Sequence, residues 1–192
     1  AGRASELAGR GVGKGVRVMI AHGGTPAFVA DLFAVWRLGG VAVCLNPHLT
    51  APEMAPLSAF VRPAAVLSGD EDVLESESDA APAAPAVDDP ALVLFTSGTT
   101  GAPKGVVLSH GAIATRTRLN REHMAADSLL RVLCVLPTPF GHGLIGNLLT
   151  PLMAGGEVVL LCEPSLTEIA GVGGLIDERQ VTFLSSVPAF WR

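Results

Sequence analysis

Tyrosine is absent from the 192 residues, and aromatic side chains make up only 5%. A core must therefore be built mainly from aliphatic side chains, with little aromatic stacking. Cysteine occurs three times, as Cys44, Cys134 and Cys162, each inside an apolar run. An odd count at wide spacing argues against a disulfide framework or a zinc cluster, and reads as buried free thiols in a reducing cytoplasm. The start, Ala1 to Lys14, is rich in glycine and arginine and has no apolar stretch of the kind a secretory signal needs. It also lacks an initiating methionine, so the chain is expected to begin inside a longer one. From Val132 to Gly156 there is no Asp, Glu, Lys or Arg, a length that could cross a bilayer. Pro137, Pro139, Pro151, Gly141, Gly143, Gly146, His142 and Asn147 interrupt it, so strand, loop and buried helix is the expectation and no membrane partner is.

What is present is strongly apolar: 49% hydrophobic residues and a mean hydropathy of +0.46, well outside the disordered range. The net charge of −5 is unevenly spread. Asp70, Glu71, Asp72, Glu75, Glu77, Asp79, Asp88 and Asp89 are eight of the 18 acidic residues, with no lysine or arginine between them. The remaining ten face 13 basic residues, a balance too mild for nucleic acid but suited to an anionic nucleotide.

Apolar runs and turn residues place the elements. Val16–Ile20, Val41–Leu45 and Ala64–Leu67 read as buried strands. Between the first two, Thr25 and Pro26 open a helix with Val29, Leu32, Phe33 and Trp36 at helical spacing, closed by Gly39 and Gly40. Thr50-Ala51-Pro52-Glu53 forms a capping box for a second helix. Strands alternating with helices over short connections predict a parallel sheet with right-handed crossovers. Residues 70–90, acidic and Ala/Pro-rich, read as an exposed connector. Beyond it, Ser109 caps a helix to about Met124 with Ile113, Thr117, Asn120 and Met124 on one side and Arg116, Arg118 and Arg121 in solvent. Strands are expected at 131–136, 157–161 and 181–184, a helix at 143–153, and another from the capping box Ser165-Leu166-Thr167-Glu168, weakened by Gly171, Gly173 and Gly174. The expected fold class is α/β with two lobes and largely parallel sheets: residues 1–69, the connector 70–90, and a second α/β segment 91–192.

The richest stretch in chemistry is Phe95-Thr96-Ser97-Gly98-Thr99-Thr100-Gly101-Ala102-Pro103-Lys104-Gly105, between the apolar runs Ala91–Phe95 and Val106–Leu108. It reads as strand, loop, strand. Hydroxyls and glycines gather donors around one point, glycine lets backbone N–H groups approach an anion, and Lys104 adds a positive charge. The chemistry suggested is the holding of a polyphosphate. The Walker A pattern fails, because Pro103 precedes the lysine and Gly105 follows it.

This string resembles the phosphate-binding signature of the adenylate-forming superfamily: acyl- and aryl-CoA synthetases, fatty acyl-AMP ligases and the adenylation domains of peptide synthetases. The likeness extends over residues 11–192. Gly39 to Pro47 looks like the family's upstream strand and turn, Pro137 to Gly146 followed by Leu152 to Gly156 like the segment where many members carry a histidine before an apolar helix, and Val181–Leu184 with Val187-Pro188 like the next strand and turn. The resemblance implies the large N-terminal domain of an enzyme that joins a carboxylic acid to ATP, giving acyl adenylate and pyrophosphate, then passes the acyl group to the thiol of CoA or of phosphopantetheine on an acyl carrier protein. Thr96, Ser97, Gly98, Thr99, Thr100, Gly101 and Lys104 are then the ATP and pyrophosphate cradle, with Mg2+ arriving on ATP and no metal ligand from the protein. His142 and Gly143 are the candidates for the acyl-pocket wall. His110 resembles a frequent family residue, equally explained by the helix start. Peptide-synthetase domains usually carry an aspartate where Gly141 stands, and no acid occurs from Leu129 to Gly156, so a small carboxylic acid without an α-ammonium is the expected substrate: aryl, short acyl or longer chain. The family's Tyr-Gly-x-Thr-Glu segment, its ribose-binding aspartate and its C-terminal catalytic lysine are not found, so no complete catalytic set is expected and the chain alone is expected to be inactive. A non-catalytic nucleotide-binding module and an amino-acid adenylation domain are the alternatives.

Overall fold

The computed structural model describes residues 2–69, 84–96, 104–161 and 164–191. The chain divides into two compact units, Ala1–Ala112 and Ile113–Arg192.

In the first unit the expected alternation forms. Strands β1 (Arg17–Ile20), β2 (Val41–Cys44) and β3 (Ala65–Leu67) are joined by α2 (Pro26–Arg37) and α3 (Ala51–Val61), after an N-terminal helix α1 (Gly2–Gly9) that the composition of the start did not suggest. β4 (Pro90–Thr96) and β5 (Lys104–Ser109) complete a five-stranded sheet in the order β3-β1-β2-β4-β5. β1, β2, β3 and β4 are parallel, and β5 returns antiparallel to β4 with Thr96 opposite Lys104. The division expected at residue 91 thus falls later in the packing: β4 and β5 finish the first sheet, and the unit ends at Ala112. Hydrogen bonding between distant strands decides this, and local apolar runs do not report it.

Met19, Val43, Leu45, Leu57 and Val61 form one core cluster, with Val93 and Phe95 of β4 against it. Burial also pushes the Cys44 thiol up to about 12, so it stays protonated packing material. α2 begins as expected, with the Thr25 hydroxyl accepting from Phe28 N–H at 3.2 Å. Its buried face is rotated from the expected one: Phe28, Asp31, Leu32 and Val35 face inward, and Phe33 is 43% exposed. The cause is Asp31, 1% exposed, which accepts from Arg3 of α1 and lies 2.8 Å from His22 Nε2 at the exit of β1. Burial pushes the Asp31 carboxyl up, but hydrogen bonds with His22 and Arg3 outweigh it and hold it below the usual range. Gly69, at φ +87, covers the His22 ring, and a Cβ there would stand 2.8 Å from Cγ.

The helix α4 (His110–His123) carries the chain into the second unit, opened by the Ser109 hydroxyl accepting from Ala112 N–H. There β6 (Arg131–Cys134), β7 (Glu157–Leu160) and β8 (Phe183–Ser185) form a parallel sheet in the order β7-β6-β8. On α4, Ile113 and Thr117 are buried and Asn120 donates to the Thr150 hydroxyl at 3.0 Å, while Arg116, Arg118 and Arg121 are exposed. Gly171 does more than weaken the late helix. It divides it into α6 (Leu166–Ala170) and α7 (Val172–Arg179), with α5 being Thr150–Met153. The helix expected at 143–153 starts as a π-helical segment, His142–Leu149, before α5. Apolar spacing does not distinguish the two helix types, and Gly143 leaves room for the wider turn: a Cβ there would stand 2.4 Å from the Pro137 carbonyl oxygen. Among the described residues no helix is long and apolar enough to cross a membrane.

Candidate active site

In open α/β sheets, ligands bind beyond the carboxyl ends of parallel strands. Each unit offers one such end to the residues singled out by the sequence.

In the first unit, β4 ends at Thr96 and β5 begins at Lys104. These two residues pair across the antiparallel ladder, and the Thr96 hydroxyl lies 3.4 Å from the Lys104 carbonyl oxygen. Both are exposed. They flank residues 97–103 in sequence, so a threonine and a lysine face each other at the end of the ladder. Ser97, Gly98, Thr99, Thr100 and Gly101 lie outside the described residues. Gly105 keeps the ladder thin there, since a Cβ would meet Val93 at 3.2 Å. His110 opens α4 nearby in sequence, its N–H donating to the Asp89 carbonyl at 3.1 Å. Its ring packs edge-on against Trp36, and its Nε2 is buried without a hydrogen-bond partner among the described residues. Burial lowers its pKa against the opposing pull of Asp89.

In the second unit, His142 heads the π-helical segment, with its ring hydrogen bond at an exposed position. Its Nε2 lies 3.0 Å from the hydroxyl of Ser185, the last residue of β8. Asn147, 1% exposed, donates to the Ser185 carbonyl at 2.9 Å. Gly143 is buried beneath this group, within 4.0 Å of the Cys134 thiol through its carbonyl oxygen. The π-helical segment is thus tied to the carboxyl end of β8 by a histidine, a serine and an amide. Sequence reasoning found His142 and Gly143 but not Ser185 or Asn147. The only signal for them was two polar residues at apolar positions, Asn147 between Gly146 and Leu148 and Ser185 after Val181–Leu184.

A cavity of about 320 Å³ lies on the basic side of α4, lined by Arg118, Arg121, Glu122, Ala126, Leu129 and Ala154. It includes none of the site residues, and Arg118 is held by Glu122 at 2.6 Å, as on a solvated helix face.

Comparison with known proteins gives this geometry a context. The family described as AMP-binding enzyme matches residues 3–81 and 65–192. Indoleacetate–CoA ligase of Aromatoleum aromaticum is 33% identical over 86% of this chain, which spans 38% of that ligase. A plipastatin synthase subunit of Bacillus subtilis is 29% identical over 98% of the chain, which spans 8% of that polypeptide. Among solved structures, the o-succinylbenzoate CoA synthetase MenE of Bacillus subtilis in complex with AMP aligns with a TM-score of 0.83 at 25% identity, over 97% of this chain and 53% of that one. The chain therefore spans well under two thirds of each of these relatives.

Proposed function

Since the chain belongs to the family of AMP-binding enzymes, we propose that it is the N-terminal portion of an ATP-dependent acid–thiol ligase. The ligase converts a carboxylic acid and ATP to an acyl adenylate and pyrophosphate, then transfers the acyl group to the thiol of CoA or of a carrier protein. The observation that carries this reading is the pairing of the exposed Thr96 and Lys104 at the carboxyl end of β4, on either side of the hydroxyl- and glycine-rich sequence 97–103.

A carboxylate is a weak nucleophile, so it must meet the α-phosphorus in line while the leaving pyrophosphate is held and its charge offset. Thr96 and Lys104, with Ser97, Gly98, Thr99, Thr100 and Gly101 between them, hold the β- and γ-phosphates, and Mg2+ arrives with the nucleotide. The exposure of Thr96 and Lys104 at the end of the ladder suits a polyphosphate, which needs donors and cations reachable from solvent. His142 and Gly143 border the carboxyl end of the acid. The substrate is an aryl or acyl acid without an α-ammonium, because no acidic side chain occurs from Leu129 to Gly156 to meet one. The kinship with an indoleacetate–CoA ligase supports this choice; that with a plipastatin synthase supports amino-acid adenylation as the second reading. The buried free thiol of Cys44 suits a cytoplasmic enzyme.

The test is ATP–pyrophosphate exchange against a panel of aryl, short acyl, long acyl and amino acids, with this chain and with any longer polypeptide that contains it. Exchange with an aryl or acyl acid in the longer polypeptide only is expected. Lys104→Ala should lower its rate about tenfold to hundredfold, the worth of one charge-assisted hydrogen bond. Exchange driven by amino acids alone would favour the second reading. Nucleotide binding with no exchange for any acid would make the chain a binding module.

A further inference from the structure

We propose that Ser185 and Asn147 are positioning residues that fix the orientation of the His142 ring. Among the described residues the ring is held at one nitrogen only, by Ser185, and Nδ1 makes no hydrogen bond. Ser185 is in turn fixed from behind, because its carbonyl receives the Asn147 amide at 2.9 Å. The hydroxyl therefore stands on a strand end that cannot drift from the helix carrying the histidine.

The π-helical winding makes this arrangement possible. At 3.6 residues per turn, His142 and Asn147, five residues apart, would point about 140° away from each other. In a helix closed by i→i+5 bonds they come round to the same side, so both reach the same residue of β8. The winding continues to the end of the segment, where Thr150 N–H donates to the Ile145 carbonyl. Gly146 completes the seat: the His142 Cδ2 lies 3.3 Å from where a Cβ would stand, so the ring rests close over bare backbone. A wider turn, a missing Cβ, a buried amide and a hydroxyl all converge on one imidazole. A hydroxyl both donates and accepts, so the Ser185 contact sets the direction of the ring and is compatible with either tautomer. The catalytic consequence rests on the reading of His142 as bordering the carboxyl end of the substrate; the positioning does not.

Proton–proton NMR contacts from the His142 ring to Ser185 and Gly146 read the ring's orientation, in this chain or in a longer polypeptide containing it. Contacts from a single orientation are expected in the parent protein. Ser185→Ala should average them over several orientations, and Ser185→Thr, which keeps the hydroxyl, should restore the single one. Asn147→Ala should loosen the ring in the same way, and because Asn147 is buried, the Ser185 pair carries the test if that variant does not fold. In ATP–pyrophosphate exchange, Ser185→Ala should lower the rate about tenfold or more with the KM for the acid nearly unchanged, as expected of a misplaced group. Ring contacts identical in the parent and in Ser185→Ala would overturn the positioning role. If the contacts change but His142→Ala leaves exchange untouched, the positioning stands and the substrate-facing reading of His142 falls.

Discussion

Both sheets of this chain bury parallel strands at their centres, two in the first and one in the second. In the first, β2 is buried at all four residues and β1 at three of four, because each has a hydrogen-bonded strand on either side and helices over its faces. In the second, only the central β6 reaches that depth; Val158, Val159 and Leu160 of β7 and Phe183, Leu184 and Ser185 of β8 are half-buried. Apolar area removed from water scales with the neighbours a strand has, so central β1, β2 and β6 each carry more stabilisation than the edge strands β5, β7 and β8. Ser185 lies on half-buried β8, and its hydrogen bonds with His142 and Asn147 tie that strand to the π-helical segment.

The contrast is most exposed to a change at the edge of the first unit. Arg3→Ala leaves Asp31 buried beside His22 without its guanidinium and should cost about 3–5 kcal/mol in urea unfolding. A loss below about 1 kcal/mol would show that α1 is ornamental to the first unit. Next in size is a pair of truncations within the second sheet. Leu133→Ala, at the fully buried centre of β6, should cost about 2–5 kcal/mol, and Val159→Ala on half-buried β7 about 1 kcal/mol. Equal losses would erase the difference in depth. Thr25→Ala removes the cap of α2 and is expected to cost about 1 kcal/mol, read as a lower thermal midpoint.

The smallest effect is a pH slope in the first unit. Burial depresses the His110 pKa below its ordinary 6.5, so above that pH the ring is neutral in both the folded and the unfolded chain. As pH falls below 6.5 the unfolded chain takes up the proton first, and stability declines until pH passes the folded value. His110→Phe should flatten that slope. Asp31 does not confuse the reading. Its carboxyl is also depressed, but from 3.8, so its share is lost only at lower pH.

Much of this was legible in the sequence where local rules decide. Thr25, Ser109 and Ser165 mark helix starts, and Gly171 marks a break, because caps and glycines act on their own neighbours. Thr50 was half legible: Glu53 accepts from its N–H, but its hydroxyl turns to the same carboxylate. What stayed hidden depends on distance along the chain. Asp31 sits within an apolar helix face, and nothing local reveals that Arg3, 28 residues earlier, makes that burial possible. Ser185 and His142 are 43 residues apart, joined only by the strand order β7-β6-β8. The candidate phosphate cradle is legible as one unbroken string, because all its residues are neighbours in the chain, and the described structure adds the pairing of Thr96 and Lys104.

Because β5 runs back along β4, Thr96 and Lys104 are held opposite each other by an antiparallel ladder at the edge of a parallel sheet. Side chains on that outer ladder can be exchanged without shifting the register of the parallel strands behind it, so the edge can vary while the scaffold is left alone.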